Sequence, residues 1–273
     1  MFRRLISGTA VVVAIAGVLT FGSSPARAED TAGLTPQQID AVTEYPLKDS
    51  KFSFEGFFGT YDKATLQRGL YIYHEVCSNC HGLYELSYRN LSDLGYNDKQ
   101  IKAYASQYQV TDGPNDNGDM FQRAALPSDK FIRPFANEKA ARAANNGAYP
   151  PDLAMIVKAR EGGVRYVYSI LQGFKDPPPD VVVPDGLYYN MYFSRGAHMI
   201  AMPPPLQDAT VTFPDGAPND LADEAKDVAT FLNWAADPHL NERHEMGIRV
   251  MLFLAVLSVL LYGVKRQIWA DAH

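Results

Sequence analysis

Cys77-Ser78-Asn79-Cys80-His81 is the stretch on which the reading of this chain turns. Two thiols lie within one turn of chain, and an imidazole follows the second directly. No other cysteine occurs among the 273 residues, so the pair belongs to no disulfide framework. A dithiol redox motif would want a strand–helix–strand setting, and half of a zinc site would want a second pair of ligands; the sequence offers neither. The spacing is that of the C-x-x-C-H haem-attachment signature. The thiols add to the haem vinyl groups as thioethers, and His81 reaches the iron from one side. One haem c, bound through Cys77 and Cys80, is therefore the expected cofactor, with His81 as its first iron ligand.

An iron held on one face by His81 needs a partner on the other. An open position would bind small ligands or react with peroxide, whereas a methionine closes the site and raises its potential. Outside the ends of the chain the candidates are Met120, Met155, Met191, Met199 and Met202, with His74 and His198 as rivals. Met202 is favoured because Pro203-Pro204-Pro205 holds the following chain extended and restricts Met202 itself to extended backbone. Met199 and His198 stay open at this level. The haem propionates also call for donors, and Arg160 has the planar fork to pair with a carboxylate, although an arginine at a solvated helix end fits the composition equally well.

Outward from the motif, residues 62–76 carry the spacing of a helix that runs straight into Cys77. Asp62 stands at its cap, and Leu66, Leu70, Tyr73 and Val76 form one stripe. A second helix is expected over residues 221–235, capped by Asp220 and striped by Leu221, Ala225, Val228, Leu232 and Ala235, with Pro238 beyond its end. A third, short one is expected over residues 151–160, ahead of Gly162-Gly163. No stretch alternates as a strand. Residues 112–133 and 175–218 are long and irregular, and the prolines at 177–179 and 203–205 forbid regular helix or central strand there. Loops of that length usually wrap something.

Both ends read as membrane signals. Arg3 and Arg4 precede an apolar run that ends at Ala26-Arg27-Ala28, the pattern of an export signal cut after residue 28. Its removal takes away three arginines and no acids, which moves the formal charge from −6 to −9. An acidic surface repels nucleic acid and speeds encounter with basic proteins, though solubility alone accounts for it as well. Near the other end, residues 250–264 carry no charge, and the apolar stretch reaches back to Met246 across Arg249, whose long stem can snorkel. Lys265 and Arg266 follow, which suits a cytoplasmic end. The expected domains are thus a signal over 1–28, an extracytoplasmic haem domain over 29–240, and an anchor with a short tail over 241–273.

Taken in order, the C-x-x-C-H helix, residues 142–153 (RAANNGAYPPDL), the Met-Pro-Pro-Pro loop, residues 227–236 (DVATFLNWAA) and the C-terminal anchor closely resemble the cytochrome c1 family, the haem c subunit of quinol:cytochrome c oxidoreductase, or cytochrome bc1 complex. The resemblance covers nearly the whole mature chain, and generic c-type cytochromes share only the first motif. It implies a mainly α fold, a class I cytochrome c core with long irregular loops in which the helices ending at Val76 and Ala235 cross, plus one transmembrane helix. It implies Met202 as the second iron ligand, Arg160 and Tyr166 at a propionate, and Asn145, Pro150, Pro151 and Leu153 lining the histidine side, where a backbone carbonyl would accept a bond from His81. Some bacterial relatives carry an extra cysteine pair in the loop before the ligand methionine; this chain has none.

The function implied is single-electron relay from the Rieske iron–sulfur subunit to a cytochrome c, soluble or membrane-bound. The chain would sit beside cytochrome b and membrane lipid in a dimeric complex of a bacterial inner or photosynthetic membrane, with no nucleic acid and no substrate chemistry of its own. Asp215, Asp220, Asp223, Glu224 and Asp227 are candidates for steering a basic cytochrome c, although acids at the start of a helix have a local reason to be there. A free-standing anchored electron carrier and a peroxidase-type haem enzyme share the first motif. The former needs no quinol-oxidising partner, and the latter needs an open iron.

Overall fold

Asp62 starts the first long helix by the means its sequence suggests. In the computed structural model, which describes residues 35–270, its carboxylate accepts from the Thr65 amide and hydroxyl, both at 2.8 Å, and α2 runs from Lys63–Glu75. These bonds, the backbone one foremost, hold the Asp62 carboxyl below its usual range. A short helix, α1 (Pro36–Val42), precedes it. The expected export signal lies outside the described residues.

Leu66, Leu70, Ile72 and Tyr73 of α2 are buried against α6 (Leu221–Ala236), whose cap Asp220 accepts from the Asp223 amide at 2.9 Å. Between the two helices in sequence lie α3 (Asp98–Ala105), α4 (Glu138–Ala144) and α5 (Gly163–Leu171). The two long helices cross at Gly69. A Cβ there would collide with the Asp227 carbonyl oxygen and stand 2.5 Å from the Phe231 Cβ, so the backbones touch as only a glycine permits. Beside this contact Arg68 grips the buried Asp227 through Nε at 2.5 Å and Nη2 at 3.2 Å. The crossing that the family resemblance implies is thus present. A second aromatic layer extends the core: Tyr88 stacks on Phe131 at 4.6 Å and on Tyr108 at 5.5 Å.

Two expectations need correction. Residues 151–160 form successive turns, and the helix begins after them, at α5. The reason is tertiary: the Leu153 amide donates to the Gly82 carbonyl at 2.9 Å, and Asp152 accepts from the Tyr84 and Ala154 amides at 2.9 Å each, so the chain is drawn out of helical pairing. Gly162 (φ 81°) and Gly163 (φ 56°) then supply the left-handed turn from which α5 departs. Strands also occur. β1 (Gln109–Asp112) pairs antiparallel with β2 (Phe121–Ala124), and β3 (Tyr188–Tyr189) with β4 (Met199–Ile200). Four-residue and two-residue ladders are too short to show a period-two pattern.

After Ala236 the chain turns through Asp237 and Pro238 into α7 (Leu240–Ile268). Its 29 residues span roughly 43 Å at the helical rise, and its most apolar window has a mean hydropathy of 2.2 with none of that window buried. The first turns of α7 are tied to the segment that precedes α2: His244 Nδ1 donates to the Gly59 carbonyl at 2.7 Å, and Asn241 Oδ1 accepts from the Tyr61 amide at 3.0 Å. Arg249 pairs with Glu245 one turn earlier.

Candidate haem site

The C-x-x-C-H stretch is one turn of backbone added to the end of α2. A 3₁₀ turn spans Cys77–Asn79, and the amides of Cys80 and His81 both donate to the Cys77 carbonyl, at 3.1 and 2.9 Å. The residues between the cysteines cap the helix end. Ser78 Oγ donates to the His74 carbonyl at 2.7 Å, and Asn79 Nδ2 to those of Glu75 and Val76 at 3.3 and 3.2 Å. The loop after the motif is seamed to residues 151–154. His81 Nδ1 lies 2.7 Å from the Pro151 carbonyl oxygen, the Leu153 amide reaches Gly82, and the Asp152 carboxylate takes the Tyr84 amide. Gly82 is needed in this seam, because a Cβ there would stand 2.8 Å from Asp152 Oδ2.

A carbonyl can only accept, so His81 carries its proton on Nδ1, and Nε2 is left with a lone pair for a metal. Burial keeps the His81 imidazole below its usual range and thus neutral, against the opposing pull of the Pro151 bond and Asp152. Cys77 and Cys80 are each half-buried and unpaired by disulfide. Burial pushes the Cys77 thiol up to about 12, the reverse of the lowered thiolate that a dithiol redox pair uses. Among the described residues no group of three or more His, Cys, Asp or Glu side chains gathers as a zinc centre would require. A Cys77 thiol that keeps its proton, a second thiol three residues on and an imidazole with one free nitrogen suit a thioether-bound haem.

Further along the chain, β3 and β4 lead to Met202, which is half-buried, while Leu206 beyond the prolines is buried. The buried Asn190 braces this loop, its amide donating to the His198 carbonyl at 2.7 Å and its side chain to that of Ile170 at 2.7 Å. His198, a rival ligand in the sequence, is fully buried, and its Nε2 donates to the Thr43 carbonyl at 2.9 Å. His74, the other rival, bonds the Tyr108 hydroxyl at 2.8 Å. Met120 and Met155 are exposed.

Arg160 and Tyr166 come together. Burial raises the Tyr166 hydroxyl above its usual range, and the Arg160 guanidinium, which is bonded to it, works against that rise. Arg195 acts on the same hydroxyl in the same sense, a cation that no sequence signal singled out because it lies in a short turn 29 residues further along. Neither arginine has a carboxylate partner among the described residues, so both charges are available. Pro151 and Leu153 lie in the seam; Pro150 precedes it, and Asn145 uses its side chain on the Ala141 carbonyl at the end of α4.

The expected acidic docking face is only partly present. Glu224 is fully buried and accepts from the Val211 amide at 2.9 Å, and Asp227 is buried against Arg68, so neither can meet a partner. Asp215 and Asp220 remain exposed.

Comparison with known proteins gives a consistent answer. The Cytochrome C1 family model matches residues 52–272. Cytochrome c1 of Rhodospirillum rubrum is 44% identical over 241 residues, covering 82% of this chain and 88% of that protein. A mitochondrial cytochrome c1 heme protein of Arabidopsis thaliana is 42% identical over 258 residues, covering 94% and 79%. Cytochrome b/c1 of Bradyrhizobium diazoefficiens is 43% identical over 293 aligned positions; these cover 99% of this chain but 41% of that longer protein.

Proposed function

This chain belongs to the cytochrome c1 family, the haem subunits of the bc1 complex, and from that premise we propose how its residues carry the redox role. Cys77 and Cys80 hold haem c as thioethers, while His81 and Met202 are the two iron ligands. Arg160 and Tyr166 meet a propionate, with Arg195 as an additional counter-charge, and Asn145, Pro150, Pro151 and Leu153 line the histidine side. When bound, the haem supplies a centre that takes up and releases one electron at a time. The chain's own contribution is positional. The Pro151 carbonyl fixes the His81 tautomer and ring, α2 and α6 hold the cysteine turn in place, and the proline run keeps Met202 from swinging away.

Electrons come from the Rieske iron–sulfur subunit and leave to a soluble or membrane-bound cytochrome c, with cytochrome b as the neighbour in a dimeric complex. No bond to a substrate is made, so the enzymatic role is that of an electron-transfer subunit of quinol:cytochrome c oxidoreductase. Residues 29–240 face the periplasm of a bacterial inner or photosynthetic membrane once residues 1–28 are removed, and residues 241–273 anchor them with the tail in the cytoplasm. Lys265 and Arg266 after the apolar run support that orientation.

The observation that carries this reading is the His81 Nδ1 to Pro151 bond on a one-turn dithiol motif, which leaves Nε2 free. Its test is spectroscopic. Membranes expressing the chain should yield a c-type pigment that resists acidified acetone and, when oxidised, shows the near-infrared sulfur-to-iron band of thioether ligation. A colourless preparation, or pigment lost to the solvent, would overturn it.

A further inference from the structure

Five aromatic side chains fall between residues 52 and 61, and the fold treats them differently. Phe52, Phe54 and Tyr61 are buried in the core, while Phe57 and Phe58 are 60% and 76% exposed. The exposed pair sits on a hydrogen-bonded turn. Its rings meet edge to face at 5.0 Å, and the turn is closed by the Gly59 amide on the Gly56 carbonyl at 3.3 Å and the Thr60 amide on the Ser53 carbonyl at 3.0 Å. Gly56, at φ 80°, makes the turn possible.

This turn is fastened to the anchor helix at one height. Gly59 accepts from His244, and the Tyr61 amide donates to Asn241, one turn earlier on α7. The Phe58 Cα is about 3.8 Å from that of Gly59, so the pair stands near the level of His244. Six residues beyond His244, about 9 Å along the axis, Val250 opens the uncharged run. The headgroup zone is roughly 5–7 Å deep on each side of the hydrocarbon. The turn that carries Phe57 and Phe58 is thus bonded to α7 about 2–4 Å beyond the outer edge of that zone, within reach of a phenyl side chain, on the helix whose Met246, Val250 and Met251 are exposed. Two nearby acids are paired with arginines: Arg165 holds Glu55 at 2.6 Å, and Arg249 holds Glu245.

We propose that Phe57 and Phe58 form a second membrane contact, an aromatic wedge that enters the lipid interface next to α7. The occupant is lipid because the turn is bonded to the helix whose exposed apolar surface begins at Met246, a few ångströms further toward the membrane, and because a phenyl ring enters that depth with no hydrogen bond to lose. The inference rests on α7 being a membrane span, so the test must separate the two.

Phe58→Cys, Val256→Cys and Asn117→Cys would each be made in the full chain, assembled in its complex, labelled with a nitroxide and placed in vesicles of phosphatidylcholine and phosphatidylglycerol. The native thiols are consumed as thioethers, and an unchanged haem spectrum verifies folding. Collision with oxygen, which partitions into lipid, is compared with collision with a water-soluble nickel chelate. The Phe58 label is expected to exclude nickel and admit oxygen to a degree between the deep Val256 and aqueous Asn117 references, and Phe57→Cys should behave alike. A Phe58 label as open to nickel as Asn117 would overturn the inference, as would one shielded from both probes beneath another subunit. Failure of the Val256 label to meet lipid would instead remove the membrane span itself, and the wedge with it.

Discussion

His81 Nδ1 and the carbonyl oxygen of Pro151 stand 2.7 Å apart across a gap of 70 residues in sequence. The bond joins the attachment turn to a segment whose shape is set by Asp152, since that carboxylate holds the amides of both Tyr84 and Ala154. The orientation of the imidazole is therefore decided by backbone at 151–153 as much as by the motif itself.

Replacing Asp152 by alanine tests that dependence. Release of the two amides loosens the Pro151 contact, makes His81 a weaker donor to iron and removes a negative charge, and both effects favour the reduced state. The midpoint potential should rise, by up to about 59 mV, one tenfold step for one electron. A redox titration that shows no rise would count against the seam as the element that tunes His81.

Met202→Leu should leave the pigment covalently attached, because the thioethers do not involve residue 202. The potential should fall, and the iron should bind carbon monoxide. An unaltered titration in a folded variant would transfer the role to another residue, with Met199 first in line.

At the helix crossing, Gly69→Ala has no space to occupy, because the new methyl meets the Asp227 carbonyl and the Phe231 Cβ. Overpacking of this kind costs about 1–3 kcal/mol, to be read from denaturant midpoints of the solubilised protein. A loss near zero would mean that α2 and α6 separate without penalty.

Glu224 gives a pH dependence with a definite sign. Burial raises its carboxyl above the ordinary value of 4.5, against the Val211 and Thr210 bonds that lower it. The native state therefore holds the proton longer than the unfolded chain, and this contribution to stability declines as pH rises from 4.5 through the raised native value. Glu224→Gln keeps an acceptor for the Val211 amide without the charge. It should be the more stable protein at neutral pH, with the difference vanishing below the ordinary carboxylate range. Parallel melting curves at all pH values would disprove the assignment.

The helices that the sequence announced are those with both a cap and a stripe. Asp62 and Asp220 occupy the cap positions they promised, and the stripes from Leu66 and from Ala225 face each other. Helix α5 is hidden because its sequence, rich in β-branched and aromatic residues, has weak helical preference and starts from the Gly162-Gly163 turn with no side-chain cap. The turns at 151–160 were misread for the complementary reason, that Asp152 and Leu153 commit their groups to residues 82 and 84. Glu224 and Asp227 looked like surface acids because of their charge; their spacing, four and one residues before Val228, already places them on or beside the buried stripe. Of the site, Cys77, Cys80 and His81 are legible because their chemistry is compressed into five residues. Arg195 is not, because only the folded chain brings it to Tyr166.

The braces at the base of α7 bear on how electrons can reach this protein at all. Three residues separate α6 from α7, the Tyr61 hydroxyl spans the gap by donating to the Asp237 carbonyl at 3.2 Å while accepting from Asn233 at 2.7 Å, and His244 and Asn241 lock the stalk from the side. A head mounted this way is braced on its own helix from two directions. Under the role proposed above, a change in the distance an electron must cross falls to the donor more readily than to this chain.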